Sequence, residues 1–425
     1  MTPLADRSPE ELADIEATLQ RDLDLQRANR LSLDLTRGKP GPDQLALSAA
    51  IDEPPDSYLA ADGTDARNYG ALRGLPEARA LGAELLGVEP DRVFAAGNSS
   101  LFLMFQVVET ALRRGLWADE RRWSSSDPPR MLAPAPGYDR HFTVCEKLGI
   151  DMLAVPMLDS GPDMDAVHEL TREDPSVKGI WCVPKYSNPT GCIYSDATVA
   201  ALAELPERAA ADDFVVLWDN AYAVHDFEFP SAPLANLYQL ALAAGTEDHV
   251  ALFASTSKIT YANGGLAFCA GSDALLGALQ RTLEVMMIGP DKVSQLRHAR
   301  FLAGRIEEHM ARHAELLKPK FELVDRILEQ ELGGLGIAAW TKPKGGYFVS
   351  LDVLPGAAAR VVALARDVGL KLTPAGATFP YGRDRDDRNI RIAPTFTVGD
   401  DLQTAMGVLT RCVQLACVQQ LRGKA

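Results

Sequence analysis

The sequence predicts an α/β protein: a large domain with a mostly parallel, seven-stranded sheet covered by helices, and a smaller α+β domain. Two patterns carry this expectation. Between about residues 90 and 275, seven apolar runs of strand length (RVFAAG, RMLAPAPGY, DMLAVPM, KGIWCVPKY, FVVLWDNAY, HVALFAS and LAFCAG) alternate with helical stretches such as LFLMFQVVETAL and DATVAALAELPERAA. Near-continuous apolar strands separated by helices belong to a parallel sheet buried on both faces. In the last hundred residues the pattern changes to short runs, GGYFVSLDV and NIRIAPTF, and a closing helix, DDLQTAMGVLTRCVQLACVQQL.

Taken in order, the chain opens with Ser8-Pro9-Glu10-Glu11, which reads as an N-cap, a proline at the first helical position and an N3 glutamate. Residues 1–55 are expected to join the small domain, 56–300 to form the large domain, and 301–425 to complete the small one. The run KVSQLRHARFLAGRIEEHMARHAELL (292–317) reads as one long helix.

A net charge of -15 argues against nucleic acid, because phosphate contacts need a basic surface. A local cationic pocket for an acidic small molecule remains compatible with it. The six cysteines form no CxxC pair and lie mostly in apolar runs, as buried thiols of a reducing compartment do. There is no stretch of eighteen uncharged apolar residues and no signal-peptide pattern. The expectation is a cytoplasmic protein, with no membrane and no metal.

Chemistry in such sheets gathers at the carboxyl ends of the strands, and the polar residues collect there. Each has a plain structural reading beside a chemical one. Ser99 and Ser100 stand where a helix begins, a place for a phosphate and equally for an ordinary cap. Tyr138 after Ala135-Pro136-Gly137 is a packed turn tyrosine or a ring that stacks on a flat ligand. Asn188 in Tyr186-Ser187-Asn188-Pro189 belongs to a turn, yet offers a donor at the sheet edge. Asp219 ends the apolar run FVVLW, where a carboxylate is costly to bury without a partner. Lys258, in STSKITYANGG (255–265), lies between two apolar runs, although lysine is almost never fully buried unless paired.

In this order and spacing, SNPTG (187–191), WDNAY (218–222) and STSK (255–258) resemble the fold-type I pyridoxal-phosphate aminotransferases. GKPGP (38–42), NYGALRGLPEAR (68–79), PKGGYFVSLDV (343–353) and NIRIAP (389–394) extend the resemblance over nearly the whole chain. Within that family it looks most like the divergent bacterial aspartate aminotransferase subgroup, near the aminotransferase-like half of MocR-type regulators.

The resemblance implies pyridoxal 5'-phosphate as cofactor and assigns roles. Lys258 would form the Schiff base and move the proton, which needs an amine of lowered pKa. Asp219 would pair with the pyridinium nitrogen so that the ring acts as an electron sink. Tyr222 and Asn188 would bond the phenolic oxygen, and Tyr138 would stack on the ring. Ser99, Ser100, Ser255 and Ser257 would hold the phosphate. Tyr69 would reach the phosphate of a neighbouring subunit, implying a homodimer with shared sites. Arg391 would grip the substrate α-carboxylate bidentately, with Gly38, Lys39 and Asn188 also on the substrate.

The sequence departs from the family in one place. The arginine that usually follows the Schiff-base lysine by about eight residues is missing; Ala262-Asn263-Gly264-Gly265-Leu266 stands there. The phosphate is then expected to be held more by N–H groups and hydroxyls, with Asn263 a candidate, or by a basic residue from elsewhere. For a side-chain carboxylate, Arg37, Lys39, Lys292 and Arg297 are the candidates. The expected reaction is transamination of L-aspartate with 2-oxoglutarate by a ping-pong course. Aromatic or kynurenine transamination, β-lyase chemistry and an effector-sensing module are the alternatives on the same scaffold.

Overall fold

A computed structural model describes residues 2–28, 31–117, 121–125 and 127–423. The N-terminal helix Pro9–Ala28 starts as expected: the Ser8 N–H donates to Glu11 Oε2 (2.8 Å) and the Glu11 N–H to Ser8 Oγ (3.2 Å), a reciprocal capping box. Strand β1 (Leu33–Asp34) follows. The large sheet is built from β2 (Val93–Ala95), β3 (Arg130–Ala135), β4 (Asp151–Leu158), β5 (Gly161–Pro162), β6 (Val177–Cys182), β7 (Val215–Asp219), β8 (Val250–Ser255) and β9 (Ala267–Ala270).

Their order in space is β2-β9-β8-β7-β6-β3-β4-β5. The pairs β3·β4, β3·β6, β6·β7 and β7·β8 are parallel, while β9 runs antiparallel to β2 and β8, and β5 to β4. The expected seven strands are therefore eight. The extra one is the two-residue return β5, in which Leu158 pairs with Gly161; a turn this short leaves no apolar run in the sequence.

Alternate residues of each central strand face opposite layers. In β7, Val215 and Leu217 join the core that contains Leu103, Phe142 and Leu279, whereas Val216 and Trp218 join the one that contains Leu202, Leu237 and Leu296. Both faces are thus buried under helices, which is why these strands read as unbroken apolar runs.

A third core gathers Leu12, Leu19 and Leu23 of the first helix with Phe321 and Leu328, with the strands β10 (Ala338–Trp340), β11 (Val349–Val353) and β13 (Asn389–Ile392), and with the closing helix Gly399–Gly423. Strand β12 (Leu370–Lys371) pairs in parallel with β1, tying the N-terminal segment to this unit.

The run at 292–317 is not one helix. Lys292–Leu302 and Ile306–Leu332 are separate, broken at Gly304, whose φ of 64° is left-handed. Glycine adopts that conformation without a Cβ penalty, and it ends helices for that reason.

Candidate active site

The carboxyl ends of β2, β3, β6, β7 and β8 lie along one edge of the sheet, and the loops leaving them enclose a cavity of about 180 Å³. Ser99, Ser100, Tyr138, Asn188, Asp219, Tyr222, Ser255, Ser257 and Lys258 line it. Residues as far apart as 99 and 258 meet because β2, β3, β6, β7 and β8 all run in the same direction.

Asp219, the last residue of β7, is 2% exposed. Its Oδ2 lies 3.0 Å from His141 Nε2, and its Oδ1 is buried with no hydrogen-bond partner among the described residues. His141 is held flat against Trp181, with ring centroids 4.2 Å apart and planes 10° apart. Lys258 Nζ stands 4.8 Å from the centre of the Tyr222 ring. Burial lowers the Lys258 pKa, against the opposing pull of Asp219. Burial also raises the phenol pKa values of Tyr222 and Tyr138, with nearby acidic groups including Asp219 adding to the rise, so both phenols stay protonated donors.

Ser99 is the N-cap of the helix Ser100–Arg113, but its hydroxyl makes no capping bond. The cap reading therefore fails for this side chain, and the hydroxyl faces the cavity. Ser257 Oγ donates to the Asn98 carbonyl (3.1 Å), while Asn98 Nδ2 donates to the Asn263 carbonyl (2.6 Å). Asn263 contributes its main chain here; its side chain is exposed and does not line the cavity.

Arg391 on β13 is 8% exposed. Nη1 donates to Asp139 Oδ1 (3.0 Å) and Asn188 Oδ1 (3.3 Å), Nη2 to Thr373 Oγ1 (3.3 Å), and the guanidinium lies 4.9 Å from the centre of the Phe348 ring. Its Nε is buried and has no partner among the described residues. Gly38 approaches the same ring so closely that a Cβ would sit 2.3 Å from Phe348 Cζ.

Other expected residues stand elsewhere. Lys39 is exposed, with Nζ 3.8 Å from the centre of the Phe396 ring, and does not line the cavity. Lys292 is buried and donates to the Gly70 carbonyl (3.0 Å), so that its charge is already used to hold a turn. Arg37 is exposed. Tyr69 is 81% exposed and lies outside the cavity of its own chain.

The aspartate amino-transferase family model matches residues 7–425. The chain belongs to that family. An aspartate aminotransferase of Corynebacterium glutamicum is 41% identical over 422 residues, covering 98% of this chain and 96% of that protein. The crystal structure of an aspartate transaminase from Corynebacterium glutamicum superposes with a TM-score of 0.95 at 40% identity, covering 99% of each chain. More distantly, the α-aminoadipate aminotransferase LysN of Thermus thermophilus, solved with N-(5'-phosphopyridoxyl)-L-leucine, shares the fold: TM-score 0.74 at 24% identity over 95% of each chain. The family assignment does not extend to the MocR label.

Enzymes of this aminotransferase family use pyridoxal phosphate, and the residues present fit it. Asp219 has a buried carboxylate oxygen with no partner among the described residues, beside a cavity that also holds a lysine of lowered pKa and the serines of a helix N-terminus, where Ser99 makes no capping bond. The sequence reading missed His141 and Asp139. Both sit in PGYDRH (136–141), where a histidine three residues beyond Tyr138 on a helix shares its face; that spacing was the available signal.

Proposed function

We propose that this aminotransferase moves the amino group of L-aspartate to 2-oxoglutarate, giving oxaloacetate and L-glutamate by a ping-pong course. The observation that carries the reading is one cleft lined by Lys258 and by Asp219, whose Oδ1 has no partner among the described residues, with the incompletely bonded Arg391 beside its wall. Asn188 links the last of these to the cavity.

When bound, pyridoxal phosphate supplies the aldehyde that receives the amino group and the ring that draws off the electron pair left at the substrate Cα. Asp219 would hold a proton on the ring nitrogen through Oδ1, while His141 fixes its other oxygen. Lys258, with its pKa lowered by burial, would take the Cα proton and return it. Tyr222 and Asn188 would bond the phenolic oxygen, and Tyr138 would cover the ring. Ser99, Ser100, Ser255 and Ser257 would hold the phosphate with hydroxyls and N–H groups, without the usual arginine. Arg391 would take the α-carboxylate in its planar fork, with Asn188 beside it and the Gly38 main chain above. Lys39 would reach a side-chain carboxylate by leaving Phe396.

A homodimer with shared sites is part of this reading, with Tyr69 serving the partner's phosphate. Exposed Tyr69, Val285, Met286 and Ile288 support it. A Cβ on Gly289 would meet the Gly70 carbonyl at 2.3 Å, so the two apolar segments adjoin. Residues 1–55 with 301–425 would make the small domain and 56–300 the large one. A cytoplasmic setting is supported by six free cysteines; among the described residues no helix is long and apolar enough to cross a membrane.

The test is the visible spectrum of the cofactor-loaded protein on adding L-aspartate without any oxo acid. Loss of the yellow colour is the expected result. A yellow protein that aspartate leaves unchanged would overturn the acidic substrate and favour aromatic amino acids or β-lyase chemistry.

A further inference from the structure

The main chain that carries Lys258 is held by side chains outside the cavity. The Lys258 carbonyl lies 3.3 Å from Tyr347 Oη and 3.3 Å from His225 Nε2, and the Ile259 carbonyl 2.8 Å from His309 Nε2. Behind these donors the contacts continue. His309 Nε2 is 3.2 Å from His313 Nε2, and Gln44 Nε2 lies 3.2 Å from His313 Nδ1 and 2.9 Å from Tyr347 Oη. Gln44 Oε1 accepts from the Gly41 N–H (3.1 Å). All five side chains are buried.

Carbonyls in a turn need donors, and one hydroxyl or water would serve. Here the donors come from three separate segments, and burying several imidazoles is costly unless each is bonded. Burial, with Lys258 nearby, pushes His225 down to about 3, so that its ring is neutral and has a single N–H. With that N–H donated to the Lys258 carbonyl, its Nδ1 stays buried without a partner among the described residues. The donor to Lys258 is thus kept at the expense of an unsatisfied atom.

Gln44 belongs to the segment that brings Gly38 against Phe348 and whose Lys39 carbonyl accepts from Thr395 Oγ1 (3.0 Å). The clamp on Lys258 and the seating of this segment therefore share one amide.

We propose that Tyr347, His225 and His309 are positioning residues that clamp the main chain of Lys258 and Ile259, and that Gln44 makes the clamp depend on the seating of residues 36–46. The amine is then aimed only when the segment beside the substrate site is in place. This rests on Lys258 being the reacting amine.

Tyr347→Phe removes one hydroxyl and little else. Loss of a single neutral hydrogen bond predicts a fall of about five- to tenfold in kcat, with KM for the amino acid changed less than about twofold. The same variant is expected to slow pyridoxal phosphate uptake by the cofactor-free protein by a similar factor. It should also shift the pH at which the bound cofactor's visible absorbance changes. The thermal midpoint of the cofactor-free protein should stay within about 4 °C of wild type, separating aim from folding. His309→Gln, which can keep a donor, should recover most of what His309→Leu loses. Gln44→Leu should reproduce the Tyr347→Phe defect, and the double variant should lose no more than the worse single one.

Wild-type kcat, uptake and pH transition in both Tyr347→Phe and His225→Leu, alongside an inactive Lys258→Ala, would overturn the clamp while leaving the proposed function intact. Multiplying losses in the Gln44/Tyr347 double variant would overturn the link to residues 36–46. Turnover by Lys258→Ala would instead overturn the functional reading and the clamp together.

Discussion

At the residue scale, the site sets three groups against their ordinary surroundings: a lysine among buried side chains and, among the described residues, a carboxylate with one bonded oxygen and an arginine with an idle Nε. Each unsatisfied atom is expensive unless a ligand completes it. Lys258→Ala should therefore reduce transamination by about 10⁴-fold, the upper range for a lost acid–base group. Asp219→Ala should cost about a hundredfold or more in kcat, as removal of a charge-stabilising group does. Near-normal steady-state rates in either variant would remove that residue from the site. Arg391→Lys keeps the charge but loses the planar fork. It should lower kcat/KM about tenfold to a hundredfold for every amino acid tried, whereas a defect confined to dicarboxylates would reassign Arg391 to the side-chain carboxylate.

At the element scale, the placing of these groups depends on close approaches that only glycine permits. Gly38 lets the segment after β1 lie on Phe348, the ring beneath Arg391. In Gly38→Ala the new methyl must displace that buried ring, and overpacking of this kind costs about 1–3 kcal/mol. The expected outcome is a raised KM for amino acids and a lower urea midpoint; unchanged values of both would show that the segment yields freely. This contact joins residues 38 and 348, so it left no trace in local sequence pattern. Nor did the break at Gly304, because its flanking residues keep a helical pattern through the turn.

At the scale of the whole molecule, four buried histidines shape acid stability. Burial pushes His225 and His313 down to about 3 and lowers His309 and His298 as well. Histidines in the unfolded chain take up protons below about pH 6.5. The folded ones at 225 and 313 do not until near pH 3, so the unfolded state binds more protons in between. Stability should consequently fall as the pH drops through that interval. The urea midpoint measured from pH 7 to 4.5 checks this, and His313→Gln should show a shallower slope. The proposed shared site predicts a further result. Mixing and reassorting inactive Lys258→Ala with inactive Tyr69→Ala subunits should restore about a quarter of wild-type activity, because half the dimers are hybrids with one intact site. No restoration would place Tyr69 outside the partner's site.

The sequence by itself determined the class of fold and the identity of the chemical groups at the sheet edge. Both depend on short-range pattern: strands buried on two faces must be apolar throughout, and the residues that end them are polar in a fixed order along the chain. Through the resemblance to the family it also exposed the missing phosphate arginine, since the position expected for it can be counted from Lys258. Only the tertiary structure decided which of those groups meet. It brought His141 onto Asp219 and Asp139 onto Arg391, drew Lys39 to Phe396, and used Lys292 on the Gly70 carbonyl. Such pairings are chosen by the packing of segments as far apart as residues 39 and 396, where no local periodicity acts and the need to bury each polar group with a partner selects the arrangement.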